Sequence, residues 1–269
     1  MTLHRFKNTN ALVVGGANGM GRACVEQLAT EGANICVLDK DAQAGTALVQ
    51  QLKASGTTID FAAVDVLDGP AFSAAFAGAL QSFDDKLDVM VHIAGASQGG
   101  LLRDQSVEDW DWHYRVNLRS HVISGKLATE AMTKCGTGAI VMMSSISGLS
   151  GDPGWAGYNA TKAAIRNFTE SLAWEVGRQG VRVNCVAPGP VMSERMMTSI
   201  EGEDEMISGY RSHTALGRLV QPKEVMEAIL FLASDAASAI TGHTLVVDCG
   251  LTARTGQPIQ SHIFDENDV

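Results

Sequence analysis

Apolar residues in this chain gather in short runs, some interrupted by a polar residue, separated by longer stretches of helical spacing. The runs are Ala11–Val14, Asn34–Leu38, 58–64, 87–93, 139–143, 181–187 and Thr244–Asp248. A continuous apolar run marks a strand buried on both faces, as in a parallel sheet. Between the runs lie helical patterns. The first sets Cys24, Val25, Leu28 and Ala29 on one side, and others cover 41–55, Pro70 to about Phe83, 106–135, 155–178 and Pro222–Ser234. Pro70 stands in the first turn of its helix, where a missing N–H does no harm. Strand and helix alternate throughout, which predicts an α/β fold: one doubly wound parallel sheet with helices on both faces. No domain break or repeat interrupts it, so residues 1–269 read as one domain. The least regular stretch is 190–214, which carries Met192, Met196, Met197 and the acidic run Glu201–Glu205. It reads as a substrate lid, because a long loop in a compact domain is usually functional. The polar tail 252–269 is expected on the surface or against a neighbouring subunit.

Composition narrows the partners. A formal charge of −10 and a pI of about 5.1 disfavour nucleic acid and anionic membrane. The five cysteines are scattered, with no Cys-x-x-Cys pair, which points to a reduced, cytoplasmic setting and to no metal site. The first ten residues lack an apolar signal core, and no apolar run reaches the ~18 residues of a membrane span. A small-molecule substrate remains.

The ends of the predicted strands carry the candidate chemistry. After the first strand comes Gly15-Gly16-Ala17-Asn18-Gly19-Met20-Gly21, then a helix, then a strand ending at Asp39. Strand, glycine loop, helix, strand and acid form a dinucleotide-binding unit. The glycines allow the turn and let main chain approach a pyrophosphate. The phosphates then lie at the helix N-terminus, where free N–H groups favour anions. Asp39 lies eighteen residues after Gly21 (39 − 21). A carboxylate there accepts from ribose hydroxyls and repels a 2′-phosphate, so NAD is expected rather than NADP; Lys40 softens that preference. Gly95, Ser145 and Pro188 also fall at strand C-termini, so a doubly wound sheet brings all of these into one crevice.

The stretch Ser145–Lys162 crosses a Gly- and Ser-rich loop into an Ala-rich helical pattern. Tyr158 and Lys162 are four apart and share a helix face. A phenol ~4 Å from an ammonium gains roughly 4 kcal/mol at an effective dielectric of about 20, enough to bring a Tyr toward general acid/base work. The plainer reading is a packed Tyr beside a solvated Lys.

With these residues assembled, the chain resembles the short-chain dehydrogenase/reductase family from about residue 6 to 252. The family's glycine motif is similar to Val14–Gly21. Asp65-Val66 matches its adenine-contact pair, and Val116-Asn117-Leu118 its catalytic asparagine. Ser145, Tyr158 and Lys162 match the rest of the catalytic set, and Pro188–Ser193 the segment bordering the nicotinamide. Gly217-Arg218, Phe231–Ser234 and Thr241-Gly242 match the C-terminal signature.

The resemblance implies roles for these positions. Ser145, at the family's spacing of thirteen (158 − 145) and in preference to Ser144 and Ser147, binds the substrate oxygen. Tyr158 passes the proton. Lys162 lowers the Tyr pKa and binds the ribose, and Asn117 holds a water on the proton path. Cofactor contacts are implied for Gly15, Asn18, Gly19, Met20, Gly21, Asp39, Lys40, Asp65, Val66, Ala94, Gly95, Pro188, Gly189, Val191 and Ser193, besides Tyr158 and Lys162. A homo-oligomer, tetramer or dimer, through 106–135 and 155–178 is implied too.

Val14, His92, Ile93 and Cys249 depart from the family pattern. His92 and Ile93 stand where two asparagines usually brace the sheet, and His92 reads as a buried, satisfied histidine or as a tuner of pH response. Cys249 replaces a glycine and reads as a small buried hydrophobe. Ala96, Ser97, Ser147, Leu149, Trp155 and Met192–Met197 are the expected pocket edges. They favour an apolar, cyclic secondary alcohol or its ketone, while Arg195 and Arg211 leave an anion open. Two further functions stay open: an NADPH-dependent ketoreductase of 3-oxoacyl thioester type, and a cofactor-binding regulator without catalysis.

Overall fold

In β1 (Asn10–Val14), Ala11 and Val13 face one layer of helices, and Leu12 and Val14 the other. Each is fully buried, as period-two alternation within a two-sided core requires. The computed structural model describes residues 4–193, 196 and 204–257. The same pattern recurs in β2 (Asn34–Asp39), β4 (Val89–His92), β5 (Gly138–Met143) and β6 (Val181–Pro188), while the edge strands β3 (Ile59–Ala63) and β7 (Thr244–Val247) are only partly buried. All neighbours pair in parallel, in the order β3-β2-β1-β4-β5-β6-β7. The order reverses between β1 and β4, the switch point of a doubly wound sheet.

On one face lie α1 (Gly19–Thr30), α2 (Ala42–Ala54) and, near the C-terminal end of the chain, α8 (Pro222–Ala233). They bury Val25, Leu28, Leu48, Ile229 and Leu230 in one core cluster. On the other face lie α3 (Gly69–Ser82), α5 (Ser120–Cys135) and α6 (Ala156–Val176), which bury Phe72, Phe76, Met132, Ile165 and Leu172. Polar residues set the helix starts. Asp41 accepts from Ala44 N at 2.9 Å to open α2, and Asp68 from Ala71 N at 3.0 Å to open α3. A reciprocal Ser106–Asp109 box opens α4 (Val107–His113).

The stretch 106–135 is not one regular helix. α4 leads through a wider turn, Tyr114–Arg119, into α5. Such wide turns interrupt the main-chain ladder and gather at functional sites. Asn117 sits inside it, fully buried.

The region read as a lid ends in a helix, α7 (Asp204–His213). Arg195, Met197 and residues 201–203 of the acidic run lie outside the described residues, as does the tail beyond 257. Cys249 is half-buried, not a core hydrophobe, and holds a φ of +55°. That left-handed backbone favours the glycine usual there.

Gly180 joins α6 to β6 at a φ of +80°, and a Cβ on it would overlap the carbonyl oxygen of Gly136 in the turn before β5. Gly180→Ala lies far from the strand C-termini. It should destabilise the fold by about 2 kcal/mol or more, from backbone strain and overlap. Urea denaturation measures this, and an unchanged midpoint would contradict the packing described.

Candidate active site

The loop after β1 approaches the end of β4 closely: a Cβ on Gly15 would lie 2.6 Å from Ala94 N. Main-chain bonds hold it, Gly15 N to Leu38 O at 2.7 Å, and Ile93 N and Ala94 N to Val14 O at 2.8 and 3.0 Å. Val14, one of the departures from the family pattern, is fully buried.

α1 begins without a side-chain cap and without an acid in its first turn. Asn18 sends its amide to Asp41 Oδ2 instead, at 2.9 Å. The first N–H groups of α1 are therefore unspent, a ready anion site. A cavity of about 500 Å³ opens over them. It runs from Asp39, Lys40 and Asp41, past Asp65 and Val66, to Ala94 and Gly95. Asp39 is braced at the far end, accepting from Ala17 N at 2.9 Å and from Asp41 N at 3.0 Å.

A second cavity, about 330 Å³, shares Met20, Ile93, Gly95, Ala96 and Ser193 with the first. Its remaining walls include Met143, Ser145, Tyr158, Lys162, Pro188, Gly189, Val191 and Met196. The start of α6 carries Tyr158 and, one turn on, Lys162. The Lys162 Nζ lies 5.6 Å from the Tyr158 ring centroid and donates to Met143 O at 2.8 Å. Lys162 is buried, and burial lowers its pKa to about 8. Trp155 stands edge-on to Tyr158, ring centroids 6.4 Å apart.

The three neighbouring serines have separate tasks. Ser144 Oγ donates to Lys162 O at 2.8 Å, tying α6 to β5. Ser147 Oγ donates to Asp152 at 2.6 Å. Ser145 Oγ accepts from Ser147 N at 3.2 Å, and Ser145 lines the second cavity.

Asn117 is the one expected site residue that lines neither cavity. Its amide clips the main chain of Ala96, accepting from Ala96 N at 3.0 Å and donating to Ala96 O at 2.9 Å. Its own carbonyl accepts from His121 Nδ1 and from Ser120 Oγ. The water-holding role implied for Asn117 competes with these bonds.

Ala96, Ser97, Ser193 and Met196 are the expected pocket edges that line the second cavity. Ser147, Leu149, Trp155 and Met192 are not among its lining residues, and neither is Arg211. Asp41, Trp112 and Met143 line the cavities without having stood out in the sequence. Asp41 had a signal, a second acid two residues past Asp39. His92 is buried and its pKa falls to about 3, driven by burial and then by the Lys162 charge. Its bond runs to Ser124 of α5, not across the sheet. Among the described residues, no group of three His, Cys, Asp or Glu side chains is placed to hold a metal ion. None of their helices is long and apolar enough to cross a membrane.

Residues 15–252 match the family model described as enoyl-(acyl carrier protein) reductase. The chain is 37% identical over 245 residues to a 3-oxoacyl-(acyl-carrier-protein) reductase of Chlamydia trachomatis serovar D, covering 91% of this chain and 97% of that one. It is 37% identical over 249 residues to a cyclopentanol dehydrogenase of Comamonas sp., covering 93% and 99%. The crystal structure of a gluconate 5-dehydrogenase from Burkholderia cenocepacia J2315 in complex with NADP and tartrate is similar, with a TM-score of 0.87 at 28% identity over 94% and 98% of the two chains. Matches that run from the glycine loop to the last strand, on a sheet of this order, show that the chain belongs to the short-chain dehydrogenase/reductase family of oxidoreductases.

Proposed function

We propose that the protein is an NAD-dependent dehydrogenase that interconverts an apolar, cyclic secondary alcohol and its ketone. The observation that carries the reading is the pair of joined cavities, one ending at Asp39 and the other at Tyr158 and Lys162. The residues present fit a dinucleotide. The open start of α1 takes the pyrophosphate, Gly15 leaves room for it, and Asp39 takes the adenosine ribose. Asp65 and Val66 flank the adenine, while Ala94, Gly95 and the Pro188–Ser193 segment border the nicotinamide. Asp41 adds a second negative charge beside Asp39, and Lys40 is the cation that offsets them. When bound, the cofactor supplies the hydride acceptor.

The chain's own residues handle the proton. Ser145 Oγ donates a hydrogen bond to the alcohol oxygen and sets it against Tyr158. The Tyr158 phenolic oxygen takes the hydroxyl proton as the C–H bond breaks. Lys162 supplies a positive charge that favours the anionic phenol. Its ammonium is kept below about pH 8. Ile93, Met143, Val191 and Met196 give the second cavity apolar walls, which suits a ring of carbons better than a carboxylate. The cyclopentanol dehydrogenase relative supports the same substrate class.

An NADPH-dependent ketoreductase acting on a 3-oxoacyl thioester is the second reading. The Chlamydia relative and the NADP-bound neighbour favour it. Asp39 and Asp41 oppose it, because a 2′-phosphate would face both. We also propose that the protein acts in the cytoplasm as a homo-oligomer through α5 and α6, where Trp174 is 88% exposed.

Wild-type protein should reduce NAD with cyclopentanol or cyclohexanol. Tyr158→Phe should lose turnover by about a thousandfold while binding NADH as before. Activity confined to anionic substrates would contradict the substrate class, and turnover surviving in Tyr158→Phe would contradict the mechanism.

Lys162 yields a stability prediction. Its folded pKa of about 8 lies below the ordinary 10.5. The unfolded chain therefore binds more protons between these values, and stability rises with pH across that window. Below it, burying the ammonium costs on the order of 3 kcal/mol. Lys162→Met should stabilise the cofactor-free protein at neutral pH by up to that amount, flatten the rise between about pH 8 and 10.5, and lose turnover about a hundredfold or more. Urea melts over pH, without cofactor, read the first two. A destabilised variant with unchanged pH dependence would contradict the account.

A further inference from the structure

Behind the wall shared by the two cavities, the end of β4 meets α5 in a cluster of polar side chains that the proposed reaction does not use. His92 ends β4. His121 lies one turn after Asn117, and Ser124 three residues further on; all three are fully buried. The two imidazoles stack, centroids 3.8 Å apart and planes inclined by 19°, with Phe72 edge-on to His92.

The hydrogen bonds fix both tautomers. Ser124 Oγ donates to His121 O at 3.2 Å, so it accepts from His92 Nδ1 at 2.7 Å. His121 Nδ1 faces the Asn117 carbonyl, which can only accept, so Nδ1 of His121 carries the proton. The Nε2 atoms of both rings have no hydrogen-bond partner among the described residues. Burial pushes His121 well below its ordinary range, with the Lys162 charge adding to it. Like His92, it stays uncharged at working pH and acts as an oriented dipole.

The path from this cluster to the cavities is short. His121 holds the carbonyl of Asn117 within the wide turn, and the Asn117 amide grips both main-chain groups of Ala96. Ala96 and Gly95 line both cavities. A Cβ on Gly95 would lie 2.8 Å from Asn117 Oδ1 and 3.3 Å from Lys162 Nζ, so this wall tolerates little displacement.

We propose that His121, braced by His92 and Ser124, is a positioning residue that sets Asn117 and, through its grip on Ala96, the wall common to the cofactor and substrate cavities. The kinetic part rests on the dehydrogenase reading; the binding and spectroscopic parts do not.

The test compares His121→Thr with His121→Val. In α5 itself, Thr129 and Thr133 donate to carbonyls four residues back, at 2.9 and 2.7 Å. Thr at position 121 therefore restores a donor to Asn117, while Val has the same shape and none. Both variants lose the ring stack equally, so the difference between them isolates the bond. His121→Val should bind NADH about three- to tenfold more weakly than His121→Thr, the worth of one hydrogen bond. Its kcat on the alcohol should fall by a similar factor, with less change in KM. Equal NADH affinity and equal kcat in the two variants would overturn the proposal and leave His121 as core packing.

The ¹⁵N spectrum of wild-type protein, which needs no variant to fold, gives a second arm. His121 should show a neutral, Nδ1-protonated ring at neutral pH. An Nε2-protonated or charged ring would also overturn it. If no alcohol is turned over by wild-type protein, the dehydrogenase reading fails, while NADH affinity and the spectrum still decide the role of His121.

Discussion

The unspent N–H groups at the start of α1 are the constraint around which the site is arranged. A helix start left without a cap is unfavourable unless water or an anion meets it. Here the residue placed to cap it, Asn18, turns to Asp41 instead. Every other feature of the cleft follows from holding that helix start against the strand ends. Gly15 lets the loop touch Ala94, and Gly21 presses onto the carbonyl of Gly15, where no side chain fits. Asp39 caps Ala17 N and fixes the loop's far edge. The parallel sheet makes this possible, because all strand C-termini, and so all these loops, emerge on one side.

A second constraint lies in α6. A buried ammonium is costly, and that cost lowers the pKa of Lys162 from its ordinary 10.5 to about 8. The structure offsets it with one carbonyl, Met143 O, and by anchoring the lysine's own main chain through Ser144. Burial of this kind gathers at functional sites more often than elsewhere. The arrangement sacrifices stability for a charge close to the Tyr158 ring.

Much of this was legible in the sequence. Short, largely apolar runs located every strand of the sheet to within a residue or two, most plainly the central ones, because strands buried on both faces admit little else. Fixed spacing located Tyr158, Lys162, Asp39 and the glycine loop, because each depends on local geometry at a strand end or along one helix face. The wide turn at Tyr114–Arg119 was not legible, since its residues have ordinary helical spacing. Nor was the His92–His121–Ser124 cluster, which joins residues 29 apart (121 − 92) through a contact that only the packed fold creates. Met192 and Leu149 were read as pocket walls from their apolar character alone, which says nothing of direction. Cys249 was read as a buried hydrophobe, but its backbone conformation, which sequence does not display, decides its position.

The central claim is that the acids at the end of β2 select the dinucleotide without a 2′-phosphate. Titration of wild-type protein with NADH and with NADPH, followed by calorimetry at low ionic strength, tests it most directly. A dianionic phosphate near Asp39 and Asp41 loses well over 1 kcal/mol to repulsion, even partly screened. The account therefore predicts NADH binding tighter by about tenfold or more. Equal affinity, or tighter binding of NADPH, would contradict it: Lys40 would then govern the pocket, and the ketoreductase reading would replace the NAD-dependent dehydrogenase.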